Sequence, residues 1–359
     1  MAFSPKLHLS EISAELTGRL TRQYTGSDAV ATAMQRVAKH HPTGDPATDF
    51  EALVGAFGGQ SDILDDLAVF AALTKNGDPA TANAIQLVRD FVSEVQRRGI
   101  GHTLEIIMER TYSDWERREP LIEFFDLVLD AFTNHVTVAN LNYDTLVLSA
   151  LMEKYEAILS DMADGRYRGS FSFGGVKYPT VQLRSSEAQY ISLERRRLRL
   201  LHLHGSLTYW RVNDQDVKLN VGTLRGNPIW QTYRDYDTFN AQPIVVLANS
   251  YDKAQHVQGF PFNVAYDVSE TDFKNADHWL IVGYSFKDEC VNDLLQRCWE
   301  SRRDPPAILV STYRDALTEA EIEDAFGWDR GTTASNNLAI NRDGAFDLAG
   351  STDWANFAS

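Results

Sequence analysis

Short apolar runs typical of β-strands recur after residue 134. The runs are HVTVANL, LRLLHLH, PIVVLA, HWLIVGYS and PAILVST. Helical patterns lie between several of them, notably YDTLVLSALMEKYEAIL and VNDLLQRCWESR. Nearly continuous apolar strands that alternate with helices are typical of a parallel sheet covered on both faces. The sequence therefore predicts an α/β fold with a mostly parallel sheet flanked by helices.

The first part of the chain is predicted to be helical. Between residue 8 and about residue 134, successive patterns open on Pro, Ser or Asp, which favour helix starts. The predicted helices are LSEISAELTGRL, GSDAVATAMQRVAKHH, PATDFEALVGAF, SDILDDLAVFAALTK, DPATANAIQLVRDFVSEVQRR and REPLIEFFDLVLDAF. Gly99-Ile100-Gly101 follows the fifth of these patterns and is interpreted as a helix–helix turn.

The change near residue 134 from helical patterns to alternating strands and helices predicts the organisation of the chain. We expect a large helical N-terminal portion at residues 1–134, a core at residues 135–317, and a C-terminal helix and polar tail at residues 318–359. Residues 160–197 are rich in Gly, Ser and Arg and are predicted to form a loop or hairpin insertion in the core. The polar segment from about residue 329 is expected to be loosely attached or an arm for a partner.

Charge and cysteine content restrict the class of protein. A formal charge of −16 argues against a general binder of nucleic acid or anionic membranes, which would need a basic face. Cys290 and Cys298 lie in one predicted helix at a spacing that suits neither a zinc knuckle nor a disulfide. No apolar run reaches the ~20 residues of a membrane span, and residues 1–30 lack a signal-peptide core. We expect a cytoplasmic protein without zinc, without direct nucleic-acid binding and without a membrane segment.

Polar residues follow the first strand. HVTVANL leads into Asn142-Tyr143-Asp144, where a helix begins, and Asp144 or Thr145 is placed to cap it. Ligands of open parallel sheets bind beyond the carboxyl ends of the strands. Asn142 and Asp144 are therefore either turn and cap residues alone or a pair that holds polar groups of a ligand.

The second strand contains two histidines. LHLHGSLTYW places His202 and His204 on one face, because successive side chains of a strand point to opposite faces. The strand is expected to end at His204, where Gly205 lets a ligand approach the backbone. His204 is either a base that accepts a proton near pH 7 or a buried, hydrogen-bonded histidine. His202 is predicted to be a supporting or core residue, so that His202→Ala impairs folding more than turnover.

The third and fourth strands also end in polar residues. PIVVLANSYDKAQ contains Asn249-Ser250, and HWLIVGYSFKDECVNDLL contains Gly283-Tyr284-Ser285 before a helix that starts near Asp288. The latter arrangement suits a phosphate or ribose contact at a helix N-terminus. The alternative for Gly283 is the ordinary glycine of a strand–helix turn.

Four segments resemble successive motifs of one family and occur in its order. They are NLNYDTLV, LHLHGSLTYW, PIVVLANSYDKAQ and ADHWLIVGYSFKDECVNDLL. Together they are similar to the bacterial sirtuin-like family found in anti-phage defence proteins; GYSFKDECVN and the His-Gly-Ser turn are the most specific. The resemblance covers about residues 135–312. It implies a Rossmann-like fold that binds NAD and cleaves its nicotinamide–ribose bond.

The resemblance also implies roles for individual residues. Asn142 matches the catalytic asparagine that orients the nicotinamide ribose and the attacking water, Asp144 the residue that contacts the nicotinamide amide, and His204 the catalytic base. The residues expected to bind the cofactor are Gly205, Ser250, Gly283, Tyr284, Ser285 and Asp288. Cleavage develops oxocarbenium character at the ribose and releases neutral nicotinamide, so the site needs ribose positioning and a proton acceptor, and no metal.

Two features depart from the family pattern. Sirtuin deacylases carry a four-cysteine zinc module, which two cysteines in one helix cannot build, so deacylation is the least favoured activity. The N-terminal strand and Gly-Ala-Gly-x-Ser phosphate loop of the family are not found in this sequence. Three explanations stay open: residues upstream of Met1 supply them, the diphosphate is held differently, or NAD binding has decayed.

The leading expectation is an NAD⁺ hydrolase that depletes NAD in abortive-infection defence. The alternative is a catalytically weak nucleotide-binding or scaffold subunit of a defence complex. The resemblance implies control through a homo-oligomer or a partner protein, commonly an ATPase or an Argonaute-type subunit. The helical portion, the insertion and the tail are the candidate regulatory surfaces.

Overall fold

A computed structural model describes most of the predicted core and part of the helical portion. The described residues are 7–23, 79–163, 167–192, 194–236, 238–246, 250–314, 316–328 and 336–359. The predicted helices GSDAVATAMQRVAKHH, PATDFEALVGAF and SDILDDLAVFAALTK lie outside the described residues, as does Asn249.

Helices and strands are numbered in chain order among the described residues. The helices are α1 (Leu9–Gln23), α2 (Pro79–Asp114), α3 (Glu119–Ala131), α4 (Leu146–Tyr155), α5 (Val221–Gly226), α6 (Ile229–Asp235), α7 (Ser250–His256), α8 (Phe262–Asn275), α9 (Glu289–Glu300), α10 (Glu319–Ala325) and α11 (Thr352–Phe357). The strands are β1 (Val136–Asn140), β2 (Leu159–Ser160), β3 (Arg168–Phe173), β4 (Val176–Gln182), β5 (Leu198–His202), β6 (Gly205–Val212), β7 (Gln215–Leu219), β8 (Ala241–Val245), β9 (His278–Val282), β10 (Ala307–Ser311) and β11 (Leu338–Asn341).

Two parallel sheets form the centre of the fold. In one, β5 lies between β1 and β2; in the other, β10 lies between β9 and β11. Asp272 of α8 fixes that helix to the first sheet, because its carboxylate accepts from Thr137 Oγ1 at 2.7 Å and from Arg199 Nη1 at 2.8 Å. The prediction of a Rossmann-like α/β fold with parallel sheets flanked by helices is confirmed.

An antiparallel sheet of five strands, in the order β3-β4-β7-β6-β8, accompanies the parallel sheets and does not follow from the sequence pattern. The run PIVVLA contributes β8, which pairs antiparallel with β6. Within residues 160–197, β3 and β4 form a hairpin that turns at Gly174 and Gly175, whose φ values of +56° and +81° suit a tight two-residue turn. Strand β6 is buried along nearly its whole length, including its polar residues Ser206 and Thr208.

Helix α2 is longer than predicted. The turn predicted at Gly99-Ile100-Gly101 is wrong, because α2 runs unbroken from Pro79 to Asp114. A Cβ atom at Gly101 would lie 2.6 Å from Arg234 Cγ of α6, and Arg234 pairs with Glu105 of α2 at 2.6 Å. The glycine therefore allows two helices to approach closely, which outweighs its poor helix propensity.

The C-terminal segment is packed on the fold, and the expectation of a loosely attached tail is wrong for residues 336–359. Strand β11 pairs with β10 along its whole length. Trp354 and Phe357 of α11 are buried, and their rings lie 6.1 Å and 5.7 Å from the ring of Phe132. Leu348, Trp354 and Phe357 supply the buried apolar contact of this mostly polar segment.

Across the described ranges, the helices do not include one that is both long enough and apolar enough to span a bilayer.

Candidate active site

The side chain of Asn140 holds the loop that follows β1. The Asn142 N–H donates to Asn140 Oδ1 at 3.2 Å, and Asn140 Nδ2 donates to the Asn142 backbone oxygen at 3.3 Å. Asn140 is buried, whereas Asn142 is half-buried. The Asn142 backbone is thus fixed beyond the carboxyl end of β1, where ligands of parallel sheets bind.

Asp144 caps the helix that follows this loop. Its buried carboxylate accepts the Leu146 N–H at 2.9 Å, which satisfies a donor in the first turn of α4. Burial raises the pKa of the Asp144 carboxyl, and the hydrogen bond from Leu146 opposes that shift. The N-cap residue is Thr145, whose side chain makes no capping bond, and the preceding Asp144 supplies the side-chain acceptor instead. The contact of Asp144 with nicotinamide stays a prediction.

Tyr143 joins this loop to the turn that contains His204. The Tyr143 backbone oxygen accepts the Leu207 N–H at 2.9 Å, and its hydroxyl donates to the Val246 oxygen at 2.7 Å. The Tyr143 and His204 ring centroids are 6.4 Å apart. The fold therefore brings the Asn142–Asp144 loop against the histidine turn.

His202, the last residue of β5, is a buried neutral histidine. It pairs with Asn140 in the sheet register, and Asn140 Nδ2 lies 3.3 Å from His202 Nδ1. Because Asn140 Oδ1 accepts a backbone N–H, the amide orientation is settled and His202 Nδ1 must be the acceptor. Burial and the nearby Lys218 lower the pKa of His202 to about 4, although Asp161 opposes the shift.

This lowered pKa predicts an acid-dependent loss of stability that belongs to His202. The unfolded chain takes up the proton near the ordinary histidine pKa of 6.5 and the folded chain only near 4, so the stabilisation is complete above pH 6.5 and is lost as the pH falls to 4. We expect about 3 kcal/mol of unfolding free energy to be lost between pH 7 and pH 4 through this residue.

The measurement is urea unfolding at several pH values for the wild type and His202→Gln. The variant should lose about 3 kcal/mol less than the wild type over this range. Exposed His135 at the start of β1 supplies the control, and His135→Gln should follow the wild type. Parallel curves for the wild type and His202→Gln would contradict a neutral, buried His202.

His204 lies in a turn, and the expectation that it ends the strand is wrong. Strand β5 ends at His202, and His204 precedes β6 with its backbone oxygen bound to the Val246 N–H at 2.9 Å. Its side chain is 6% exposed, and Nε2 lies 3.1 Å from Asp288 Oδ2. The two groups are at ion-pair distance but are not aligned as a hydrogen bond. This position is compatible with His204 as a catalytic base and with His204 as a buried structural histidine.

Close packing against β8 requires a glycine at position 205, which the sequence did not indicate. Its φ of +86° lies in the left-handed region, and a Cβ atom there would lie 2.3 Å from the backbone oxygen of Ile244. Strand β8 thus occupies the space beside Gly205 where a ligand was expected. Its role in cofactor binding stays a prediction.

Asp288 lies at the centre of a buried ionic cluster that it forms with Lys253 and His204. Its Oδ2 contacts Lys253 Nζ at 2.7 Å and His204 Nε2 at 3.1 Å, while its Oδ1 accepts the Val291 N–H at 3.2 Å and caps α9. The exposed side-chain fractions are 8% for Asp288 and 6% for Lys253. Burial alone would raise the pKa of Asp288, but the nearby His204 and Lys253 outweigh it and hold that pKa well below its usual range.

The segment between β9 and α9 presents both accessible and anchored residues. Gly283 and Ser285 are exposed, and Gly283 has a φ of +62°. The Tyr284 hydroxyl donates to Asn292 Oδ1 at 2.7 Å and also lies 3.0 Å from the Asp288 backbone oxygen. Ser250 opens α7, and its side chain lies outside the described residues. Cofactor binding by these four residues stays a prediction.

Two further residues of this region, Lys253 and Tyr266, are not among those expected from the sequence. Lys253 lies inside the motif PIVVLANSYDKAQ, so its charge could have marked it as a candidate site residue. Tyr266 is one of several aromatic residues in α8, and no sequence signal distinguishes it. The Tyr266 hydroxyl is buried without a hydrogen-bond partner among the described residues. Burial raises its pKa, and so do the neighbouring groups of Asp288, Cys290, Tyr284 and Tyr143, which places the hydroxyl beside the cluster.

A Tyr266→Phe variant is expected to be more stable than the wild type by about 1 kcal/mol, because it removes a buried polar atom that lacks a partner among the described residues. Denaturant unfolding of the free protein measures this. Tyr155→Phe is the matched control, since the Tyr155 hydroxyl donates to Asp126 Oδ1 at 2.5 Å and its removal should lower stability by about 1 kcal/mol. Equal losses in both variants would mean that the Tyr266 hydroxyl is satisfied.

Metal ligands do not cluster in the part of the chain that the structure describes: no group of three or more His, Cys, Asp or Glu side chains there could hold an ion. Cys290 and Cys298 are both free thiols on α9.

The chain was compared with known proteins. Residues 136–332 match the family model described as SIR2-like domain, a stretch that includes all four motif segments and every residue proposed for the site. No curated protein matches the chain. A match over more than half of the sequence shows the family, and the chain belongs to the SIR2-like family.

Proposed function

We propose that the chain is an NAD⁺ hydrolase that cleaves the nicotinamide–ribose bond and releases nicotinamide and ADP-ribose. Membership of the SIR2-like family points to NAD as the substrate class. The observation that carries the proposal is the packing of the Asn142 loop on the histidine turn, with Tyr143 and His204 rings 6.4 Å apart. An amide for ribose positioning and an imidazole for proton transfer are the groups this cleavage needs.

The proposed chemistry uses few protein groups. Asn142 orients the ribose and a water molecule, the water oxygen bonds to the anomeric carbon, and the glycosidic C–N bond breaks with its electron pair moving to nicotinamide. Nicotinamide leaves as a neutral molecule, and His204 accepts the proton that the water gives up. Positioning supplies much of the acceleration, because the reacting water is held next to the anomeric carbon.

Two observations support a nucleotide-binding site near the carboxyl end of β9. Gly283 and Ser285 are exposed beyond the carboxyl end of β9, at the approach to α9. The Tyr266 hydroxyl beside the ionic cluster is buried without a partner among the described residues, and a bound ligand can satisfy it.

The second candidate is a nucleotide-binding or scaffold subunit that hydrolyses NAD⁺ weakly. The observation in its favour is the 6% exposure of the His204 side chain, which restricts the access of a substrate to the base. A deacylase is less favoured, because Cys290 and Cys298 share one helix and cannot form a four-cysteine module.

We also propose that the protein acts in the cytoplasm, depletes NAD⁺ during anti-phage defence, and is controlled by homo-oligomer formation or by a defence partner such as an ATPase or an Argonaute-type subunit. These parts rest on the family resemblance of the motifs. Size-exclusion chromatography with light scattering tests the oligomer, and co-purification with the products of neighbouring genes tests the partner.

The function is tested by incubating the purified protein with NAD⁺, alone and with the products of neighbouring genes, while nicotinamide and ADP-ribose are followed by chromatography. Equal yields of both products are expected. NAD⁺ binding without turnover in every assembly state would favour the scaffold, and nicotinamide release that requires an acylated peptide would favour the deacylase.

A further inference from the structure

The carboxylate of Asp288 makes contacts that do not suit a ribose ligand. One oxygen, Oδ1, accepts the Val291 N–H at the start of α9, and the other, Oδ2, lies 2.7 Å from Lys253 Nζ and 3.1 Å from His204 Nε2. A ribose hydroxyl would have to displace one of these partners inside a site that is nearly closed to water. The contacts therefore direct the charge of Asp288 towards His204.

The cluster has the charge balance that a histidine base requires. One carboxylate is neutralised by one ammonium, so the trio is neutral while His204 is neutral and carries one positive charge once His204 has taken a proton. A second buried cation next to Lys253 would be costly without a carboxylate between them. Asp288 lies between the two nitrogen atoms that would otherwise repel each other.

We propose that Asp288 is the positioning residue of His204. Its carboxylate holds the imidazole with Nε2 turned towards it, leaves Nδ1 to take the proton of the attacking water, and stabilises the imidazolium that forms. Lys253 keeps the carboxylate charged and in place from α7. This inference rests on the proposed function, since it gives Asp288 a role in proton transfer instead of the cofactor contact that the sequence suggested.

The imperfect alignment of the His204–Asp288 pair agrees with this role. Hydrogen bonds of catalytic groups are commonly long or poorly aligned before the substrate is bound and tighten in the complex. A distance of 3.1 Å without a hydrogen-bonding angle is such an arrangement. A small rotation of the imidazole completes it without movement of the backbone.

The competing interpretation is that Asp288 only caps α9 and pairs with Lys253. Asp288→Asn separates the two, because an asparagine retains the capping oxygen and loses the charge. We expect kcat for nicotinamide release to fall by about 10²–10⁴-fold, with KM for NAD⁺ changed by less than about threefold. Thr318→Ala is the matched control, since it removes the cap of α10 and should leave kcat unchanged.

Asp288→Asn removes the carboxylate charge that contacts Lys253, and this loss can itself destabilise the protein, so a double variant is needed. Asp288→Asn with Lys253→Met removes both charges and should recover the stability lost in the single variant, while kcat stays low. Lys253→Met alone retains the carboxylate beside His204 and should reduce kcat less than Asp288→Asn does. Recovery of kcat together with stability in the double variant would overturn the proposal.

A spectroscopic readout separates this inference from the proposed function. NMR of ¹⁵N-histidine-labelled full-length protein, with the His204 signals assigned from His204→Gln, should report a proton on Nε2 in the wild type and a changed tautomer in Asp288→Asn. If the wild type is active and Asp288→Asn retains kcat within threefold, the positioning role of Asp288 is overturned and the hydrolase proposal stands. A wild type that releases no nicotinamide overturns the hydrolase, and an unchanged His204 tautomer then overturns the positioning role as well.

Discussion

His204→Gln is expected to release nicotinamide about 10²–10⁴-fold more slowly than the wild type while it still binds NAD⁺. Glutamine retains a polar side chain in the space beside Asp288 but cannot accept a proton from water. The contact between Asp288 and Lys253 at 2.7 Å survives the change, so the buried carboxylate keeps a partner and the fold is retained. The loss should therefore appear in kcat rather than in KM.

Single-turnover release of nicotinamide, together with NAD⁺ binding by calorimetry, measures the effect. The matched control is His135→Gln, because His135 is exposed at the start of β1, the end of the sheet opposite to the strand ends of the site. Turnover of His204→Gln within threefold of the wild type would remove His204 from the reaction. A parallel loss of binding would instead give it a substrate-holding role.

The sequence predicted those parts of the fold that depend on local apolar runs. The five runs correspond to β1, β5, β8, β9 and β10 to within three residues at each end. The pairing of the strands could not be predicted from these runs. The run that forms β8 has the pattern of a buried parallel strand, but β8 pairs antiparallel with β6. In β8, Ala241 and Ile244 are buried whereas Gln242 is exposed, so this apolar run does not by itself determine the kind of sheet.

Candidate site residues could be proposed from the sequence where they follow apolar runs, and not where helices bring residues in from elsewhere in the chain. Asn142, Asp144 and His204 were identified from strand ends, and Tyr143 packs their loops together. The contact of Lys253 with Asp288 joins residues 35 apart through the packing of α7 beside α9, and no periodicity encodes it. The cofactor contact expected for Asp288 stays a prediction, and its carboxylate oxygens contact Lys253, His204 and the Val291 N–H.

The second large effect is expected at the glycine next to His204. Gly205→Ala should lower the free energy of unfolding by about 2–5 kcal/mol, because two separate costs add. A φ of +86° places the new Cβ in a strained backbone conformation, which costs about 1–2 kcal/mol. The Cβ would also lie 2.3 Å from the Ile244 oxygen and 3.0 Å from Val245 Cα. Both are backbone atoms of β8 that no side-chain rotation can move away.

Relief of the clash would have to separate β8 from the histidine turn, and the bond from the Val246 N–H to the His204 oxygen at 2.9 Å lies there. We therefore expect Gly205→Ala to lose nicotinamide release along with stability. Gly175→Ala is the matched control: Gly175 has a φ of +81° in the β3–β4 turn, and its Cβ would meet nothing within 4 Å. This variant should lose only about 1–2 kcal/mol of unfolding free energy, the cost of the left-handed backbone conformation, and should retain activity. Equal losses of stability in urea unfolding of the two variants would show that β8 yields to the alanine and that close strand approach is not what Gly205 provides.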